Sequence, residues 1–231
     1  MPRFFSETPI VEGARVVLDT RIAQHVRVLR LREADLIALF DGAGGEVPAT
    51  IVEIGKRDII AETAHRVLIE RELARKLTLS VGLIANDRFD WLIQKATELG
   101  VAAIQPLYTE RSQRIPGDIE KRVAHWRGVV IAACEQCGRN QLPLVSAPIS
   151  LAHAIESQSA IPRVLMDAEG EPSIAFAAPE LPSVVFVGPE GGFSPNELAL
   201  LRERCEYRLR VGQTVLRAET AAIAAVVRLA T

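Results

Sequence analysis

The feature that most constrains this chain is an apolar run that stops in a glycine-rich loop, with a helix starting at once. It reads Val184-Val185-Phe186-Val187-Gly188-Pro189-Glu190-Gly191-Gly192-Phe193-Ser194-Pro195-Asn196-Glu197. Four apolar residues before Gly188 predict a strand buried on both faces, as in a parallel sheet covered by helices. The loop then lies at the strand's carboxyl end, the usual ligand edge of an open α/β sheet. Ser194 can cap the helix, Pro195 suits its first position, and Glu197 stands three residues on to close a capping box.

A second unit of the same kind follows. Tyr207 to Val211 predicts a strand, Gly212 to Arg217 a loop, and Ala218 to Leu229 an alanine-rich helix with Glu219 in its first turn. Neither loop carries the GxxxxGK[ST] pattern that cradles a triphosphate or the GxGxxG of a dinucleotide fold. A cleft of such loops suits a neutral or zwitterionic nucleoside better than a polyphosphate. A nucleotide hydrolase is the least favoured reading, for want of a phosphate lysine.

Around these units the pattern changes near residues 70 to 76. Before that point, short alternating segments predict strands at Ala14 to Leu18, His25 to Leu31, Leu36 to Asp41, Ala49 to Ile54 and Ile59 to Val67. Turn signals such as Asp41-Gly42-Ala43-Gly44-Gly45 separate them, and together they suggest a small β-barrel. After it, β and α alternate: strand Leu77 to Ala85, helix Asp87 to Leu99, strand Val101 to Tyr108, a long helix from about Ile119 to Gln136, and strand Val164 to Asp167. Such alternation implies a mainly parallel sheet with crossover helices. Phe89, Leu92, Ile93 and Ala96 share one helical face and belong to the core. The region from Ala147 to Pro162 is expected to be irregular. The division expected is 1–72 and 73–231.

With 231 residues, of which 48% are hydrophobic and 24% charged, the chain can bury a sizeable core. No stretch approaches the ~20 apolar residues of a membrane span, and the N-terminus has no signal-peptide run, so a cytoplasmic location is expected. Three cysteines cannot make a disulfide framework. Cys134 and Cys137 form a CxxC on the long helix, for which a structural role is favoured over a redox pair or a zinc site, which needs four ligands. A net charge of −2 rules out bulk attraction to nucleic acid, so such contacts must be local. Two patches qualify: Arg27, Arg30 and Arg32 in the N-terminal part, and the stretch from Arg111 to Gln141.

Several motifs then fall in one order along the chain: Arg3-Phe4-Phe5; His25 followed by Val28-Leu29-Arg30; Gln94-Lys95-Ala96-Thr97-Glu98-Leu99-Gly100-Val101; Thr109-Glu110-Arg111-Ser112; Glu135-Gln136-Cys137-Gly138-Arg139; Gly188 to Phe193; and Val215-Leu216-Arg217-Ala218-Glu219-Thr220-Ala221. Together they resemble the RsmE family, bacterial methyltransferases of the SPOUT class, over nearly the whole chain. The resemblance implies an N-terminal PUA-like β-barrel that binds RNA and a C-terminal α/β domain with a mainly parallel sheet tied in a trefoil knot. It also implies a homodimer, S-adenosylmethionine as methyl donor without a metal, and methylation of N3 of one uridine in 16S rRNA of the small ribosomal subunit. Two places depart from the family pattern. Asn86-Asp87-Arg88 stands where a Lys-Gly pair is usual, and Val211-Gly212-Gln213-Thr214 replaces Leu-Gly-x-Arg.

On that resemblance the donor is bound by Gly188, Pro189, Glu190, Gly191, Gly192, Leu209, Gly212, Val215 and Leu216. The N3 proton of uridine is weakly acidic, so the site must remove it or stabilise the anion as it forms. Arg217, Glu219 and Arg139 are the polar candidates: an arginine can stabilise charge at a carbonyl oxygen, and Glu219 can accept the proton. Helix-dipole stabilisation alone also explains an acid in that first turn. Arg3, Arg27, Arg30 and Arg111 are the candidate RNA contacts. Two further readings remain: a SPOUT enzyme acting on another RNA such as tRNA, and a non-catalytic RNA-binding factor of ribosome assembly.

Overall fold

The computed structural model describes residues 1–114, 117–172 and 182–230. Two compact units emerge: Met1–Glu72 with Cys134–Leu142, and Leu73–Ala133 with Pro143–Thr231.

The first unit holds a five-stranded sheet in the order β1-β3-β4-β5-β2. Its strands are β1 (Arg3–Phe5), β2 (Arg15–Val17), β3 (Leu36–Phe40), β4 (Val47–Ile54) and β5 (Ile59–Thr63). β1 runs parallel to β3, and the other pairs are antiparallel. One of the expected strands is not a strand. His25 to Leu31 falls largely in a helix, α1 (Thr20–Val28), capped by Asp19, whose carboxylate accepts the Ile22 N–H at 2.8 Å. The alternation of Val26 and Val28 suits period 2, but Ile22, Ala23 and Val26 also satisfy period 3.6, and it is these that are buried against Phe4, Ile37, Leu39 and Ile51. A start signal with a helical apolar stripe outweighs a short alternation.

The second unit is a parallel sheet in the order β12-β10-β11-β6-β7-β8, with β9 also beside β7. In chain order come β6 (Leu77–Gly82), α2 (Asn86–Glu98), β7 (Ala103–Tyr108), α3 (Ile119–Cys137), β8 (Leu144–Val145), β9 (Ile149–Ser150), α4 (Leu151–Ser157), β10 (Arg163–Pro172), β11 (Ser183–Val187), α5 (Pro195–Arg204), β12 (Tyr207–Arg210) and α6 (Ala218–Ala230). The stretch expected to be irregular thus contains β9 and α4, a short helix capped by Ser150 that buries Leu151, Ala154 and Ile155. Its apolar stripe of three residues is too short to stand out from sequence alone.

β11 lies in the middle of the sheet and all five of its residues are buried, which accounts for its unbroken apolar run. Phe186 and Val184 pack with Leu107, Leu165 and Leu201 on one face. Each such side chain contributes about 2 kcal/mol by leaving water. β12 lies at the edge, and residues 211–217 carry the chain back so that α6 packs on α2, β6 and β11. The ends of β10, β11 and β12 therefore open at the same edge of the sheet.

Candidate active site

A cleft of about 540 Å³ lies at that edge. Residues 188–193 form one wall, 209–216 another, and the end of β10 a third, with Ala218 and Ala221 of α6 completing it. All nine residues expected to hold the donor line it. The glycine loop is fixed by local rules. Gly192 takes φ 67°, a left-handed conformation open to glycine at little cost. The capping box of α5 is complete: Ser194 Oγ accepts the Glu197 N–H at 3.3 Å and Glu197 Oε2 accepts the Ser194 N–H at 2.9 Å. From the neighbouring strand β6, Gly82 lets Pro189 come close, since a Cβ there would lie 2.5 Å from Pro189 Cδ and 2.7 Å from its nitrogen.

The third wall was not foreseen as part of the site. Met166 and Glu171 of β10 both pair with Leu209 of β12, so residues 167–170 bulge out of the ladder. The bulge delivers Asp167, Ala168 and Glu169 to the cleft. Asp167 is buried and binds two elements at once: Arg202 of α5 donates to its oxygens at 2.8 and 3.0 Å, and Arg208 of β12 at 2.7 and 2.9 Å. Burial pushes the Asp167 carboxyl up, but the Arg202 hydrogen bonds, the Glu169 N–H and Arg208 outweigh it and hold the pKa at about 2. Glu169 accepts from Arg202 at 2.8 Å at the exposed rim. A signal did exist: Asp167 ends the apolar run Val164-Leu165-Met166, the same carboxyl-end position that marked Gly188.

The polar candidates are dispersed. Arg217 is exposed on the turn between Leu216 and Ala218, both of which line the cleft. Glu219 is buried in the first turn of α6, and its Oε2 meets no hydrogen-bond partner among the described residues. Arg139 belongs to the first unit, where it is buried and bonded to Glu72 through Nε at 3.1 Å and through Nη2. Its neighbour Asn140 and Glu46 receive Arg3, which also stacks 5.0 Å from the Phe40 ring. Arg27 donates to the carbonyls of Gly55, Lys56 and Arg57 at 3.0 to 3.3 Å. Arg30 is exposed at φ 55°. Arg111 lies against the glycine loop, donating to Gly191 O at 3.0 Å. Cys134 is buried, and burial pushes its thiol up to about 12. Among the described residues no group of three His, Cys, Asp or Glu could hold a metal ion.

This geometry is shared with known proteins. Residues 71–230 match the RNA methyltransferase domain family, and residues 18–63 the RNA methyltransferase PUA domain. A relative from Rickettsia conorii, ribosomal RNA small subunit methyltransferase E, is 30% identical over 97% of this chain and 93% of its own length. The chain belongs to the RsmE family. A crystal structure of a family member, from Neisseria gonorrhoeae and bound to S-adenosyl methionine, matches with a TM-score of 0.92 and 34% identity, covering 98% of this chain and 95% of that one. A methyltransferase from Legionella pneumophila, in complex with the cofactor SAM, gives 0.90 and 33% over 98% and 96%. The fold is thus the parallel-sheet α/β fold of SPOUT methyltransferases of the RsmE family, with a PUA domain before it. Among the described residues no helix is long and apolar enough to cross a membrane.

Proposed function

We propose that this chain transfers a methyl group from S-adenosylmethionine to 16S rRNA of the small ribosomal subunit, at N3 of a uridine. The observation that carries the reading is the cleft itself, in a chain of this family. Its volume suits one nucleoside-sized ligand, it is walled by Leu198, Leu209, Leu216 and Phe193, and among the described residues no lysine lines it to receive a phosphate. Its rim carboxylates are matched by arginines, Glu190 by Arg88 and Glu169 by Arg202, a balance that suits a neutral or zwitterionic nucleoside. These features fit the donor. When bound, S-adenosylmethionine supplies an activated methyl on a sulfonium.

What the chain must add is orientation and charge control. The backbone of residues 188–192 and 209–216 would hold the donor, whose activated methyl it would keep from water. Arg217, exposed beside the cleft, stabilises the negative charge that develops on a uracil carbonyl as N3 loses its proton. Glu219, with Oε2 unpartnered among the described residues, accepts that proton directly or through water. Residues 1–72 form the RNA-binding domain, where the exposed Arg30 is the arginine placed to meet a phosphate, and 73–231 the catalytic domain. The protein works as a homodimer in the cytoplasm.

The deciding experiment supplies labelled donor and small subunits from cells lacking this protein, followed by nucleoside mass spectrometry. We expect 3-methyluridine in 16S rRNA. Methyl transfer to tRNA instead would redirect the reading to another RNA, and donor binding with no transfer to any RNA would favour a non-catalytic assembly factor. Arg217→Ala should slow single-turnover methylation about a hundredfold at unchanged donor affinity; an unaltered rate removes Arg217 from the chemistry.

A further inference from the structure

The Thr109-Glu110-Arg111-Ser112 motif sits at the carboxyl end of β7, a strand that contributes nothing to the cleft lining, yet it is fastened to the glycine loop. Arg111 Nη1 donates to Gly191 O at 3.0 Å and to Phe193 O at 3.5 Å. Its aliphatic stem lies along Gly191: a Cβ on Gly191 would stand 3.4 Å from Arg111 Cβ and 3.5 Å from its Cδ. The adjacent Glu110 N–H donates to Glu197 Oε1 at 2.9 Å, on the carboxylate whose other oxygen closes the α5 capping box. The motif is itself held in place, since Ser112 Oγ accepts the Thr109 N–H at 3.0 Å and the Gln113 N–H reaches Leu83 O at 2.9 Å. From the other side, Glu190 Oε1 accepts the Ala85 N–H at 3.2 Å and Arg88 at 3.3 Å.

We propose that Arg111 is a positioning residue for the donor loop and not an RNA ligand, an inference that rests on the donor-binding reading above. One nitrogen of the guanidinium, Nη1, serves both backbone carbonyls, and the planar group fixes the direction from which it reaches them. Fixing the Gly191 and Phe193 carbonyls also fixes the peptide planes between them, and with them the backbone groups that the loop presents to a ligand. Three glycines in five residues would otherwise leave this segment many conformations to lose on binding. Arg111 removes that freedom before the ligand arrives, which raises affinity without touching the ligand. Arg88 does the same for Glu190, at the place where the family's usual Lys-Gly pair is absent. A phosphate contact through Nη1 would require it to release both carbonyls.

The test compares wild type, Arg111→Ala and Arg111→Lys as full-length chains, by calorimetric titration with S-adenosylmethionine in the absence of RNA. Arg111→Ala should raise the donor Kd about tenfold, and the lysine variant should recover only part of this because its flexible, strongly hydrated ammonium lacks the planar group that aims Nη1 at both carbonyls. In turnover, KM for the donor should rise by a similar factor with kcat within about twofold, a split that general loss of folded protein would not produce. Hydrogen exchange of residues 190–193 without donor should quicken in Arg111→Ala, and this readout needs no ligand. Gly191→Ala, which keeps Arg111 but crowds its stem, should also weaken donor binding. Unchanged donor affinity in Arg111→Ala, with a weakened RNA affinity, would overturn the proposal. Wild-type protein that fails to bind the donor would instead overturn the reading beneath it.

Discussion

Residues 188–193 and residues 211–216 line the same cleft, yet only the first group is held from outside. Arg111, Glu110, Arg88 and the α2 start all hydrogen-bond to the glycine loop or to its capping box, and Pro189 is packed on Gly82. Facing it, residues 211–216 take part in no hydrogen bond among the described residues, and Val215 is 98% exposed. One wall is preorganised and the other gains its contacts only when something fills the space. A site divided in this way can fix the reacting end of a small molecule while still letting it enter and leave.

The contrast can be broken most forcefully at Gly82. An alanine there collides with the Pro189 ring and nitrogen, so Gly82→Ala should cost about 2–3 kcal/mol in urea unfolding and abolish measurable donor binding. Asp167→Asn comes next: it leaves Arg202 and Arg208 facing an amide, and should lower stability by about 2 kcal/mol while loosening the β10 wall.

The same carboxyl sets a pH window. Its folded pKa of about 2 lies below the ordinary 3.8, so its contribution is complete above that ordinary value and is lost as pH falls from about 4 toward 2. The urea midpoint should decline over that window in the wild type, and less steeply in Asp167→Asn. Hydrogen exchange sharpens the comparison of the two loops directly. Saturating donor should slow residues 211–216 about tenfold or more and residues 188–193 by less than about threefold, since the latter are already restrained. Equal protection of both would dissolve the distinction. The smallest effect is expected from Val215→Ser, with stability within about 0.5 kcal/mol of wild type and donor affinity weakened about threefold through lost apolar contact.

The sequence exposes the glycine loop because every rule that shapes it is local. An apolar run, a glycine with positive φ and a Ser-Pro-x-Glu helix start act within a dozen residues. The bracing of that loop is hidden for the opposite reason. Arg111 and Gly191 stand eighty positions apart, and nothing near Arg111 distinguishes an arginine that holds carbonyls from one that waits for a phosphate. Arg3 and Arg27 repeat the lesson in the first unit. Both read as RNA contacts by residue type, and both are engaged with partners of their own unit. Asp167 was half legible, its position at a strand end apparent but its two arginines supplied by later elements. α1 was obscured by a segment whose apolar residues satisfy two periods at once.

The path of α6 has a consequence in time. This helix is the last described element, and it packs on α2 and β6, the first helix and first strand of the second unit. Ala218 and Ala221 of the same helix complete the cleft. Domains of a growing chain fold as their sequence emerges, but here the first strand and helix of the unit wait for a helix made well after them. A growing chain from which α6 has not yet emerged therefore lacks a finished cleft, however complete its first strands and helices are.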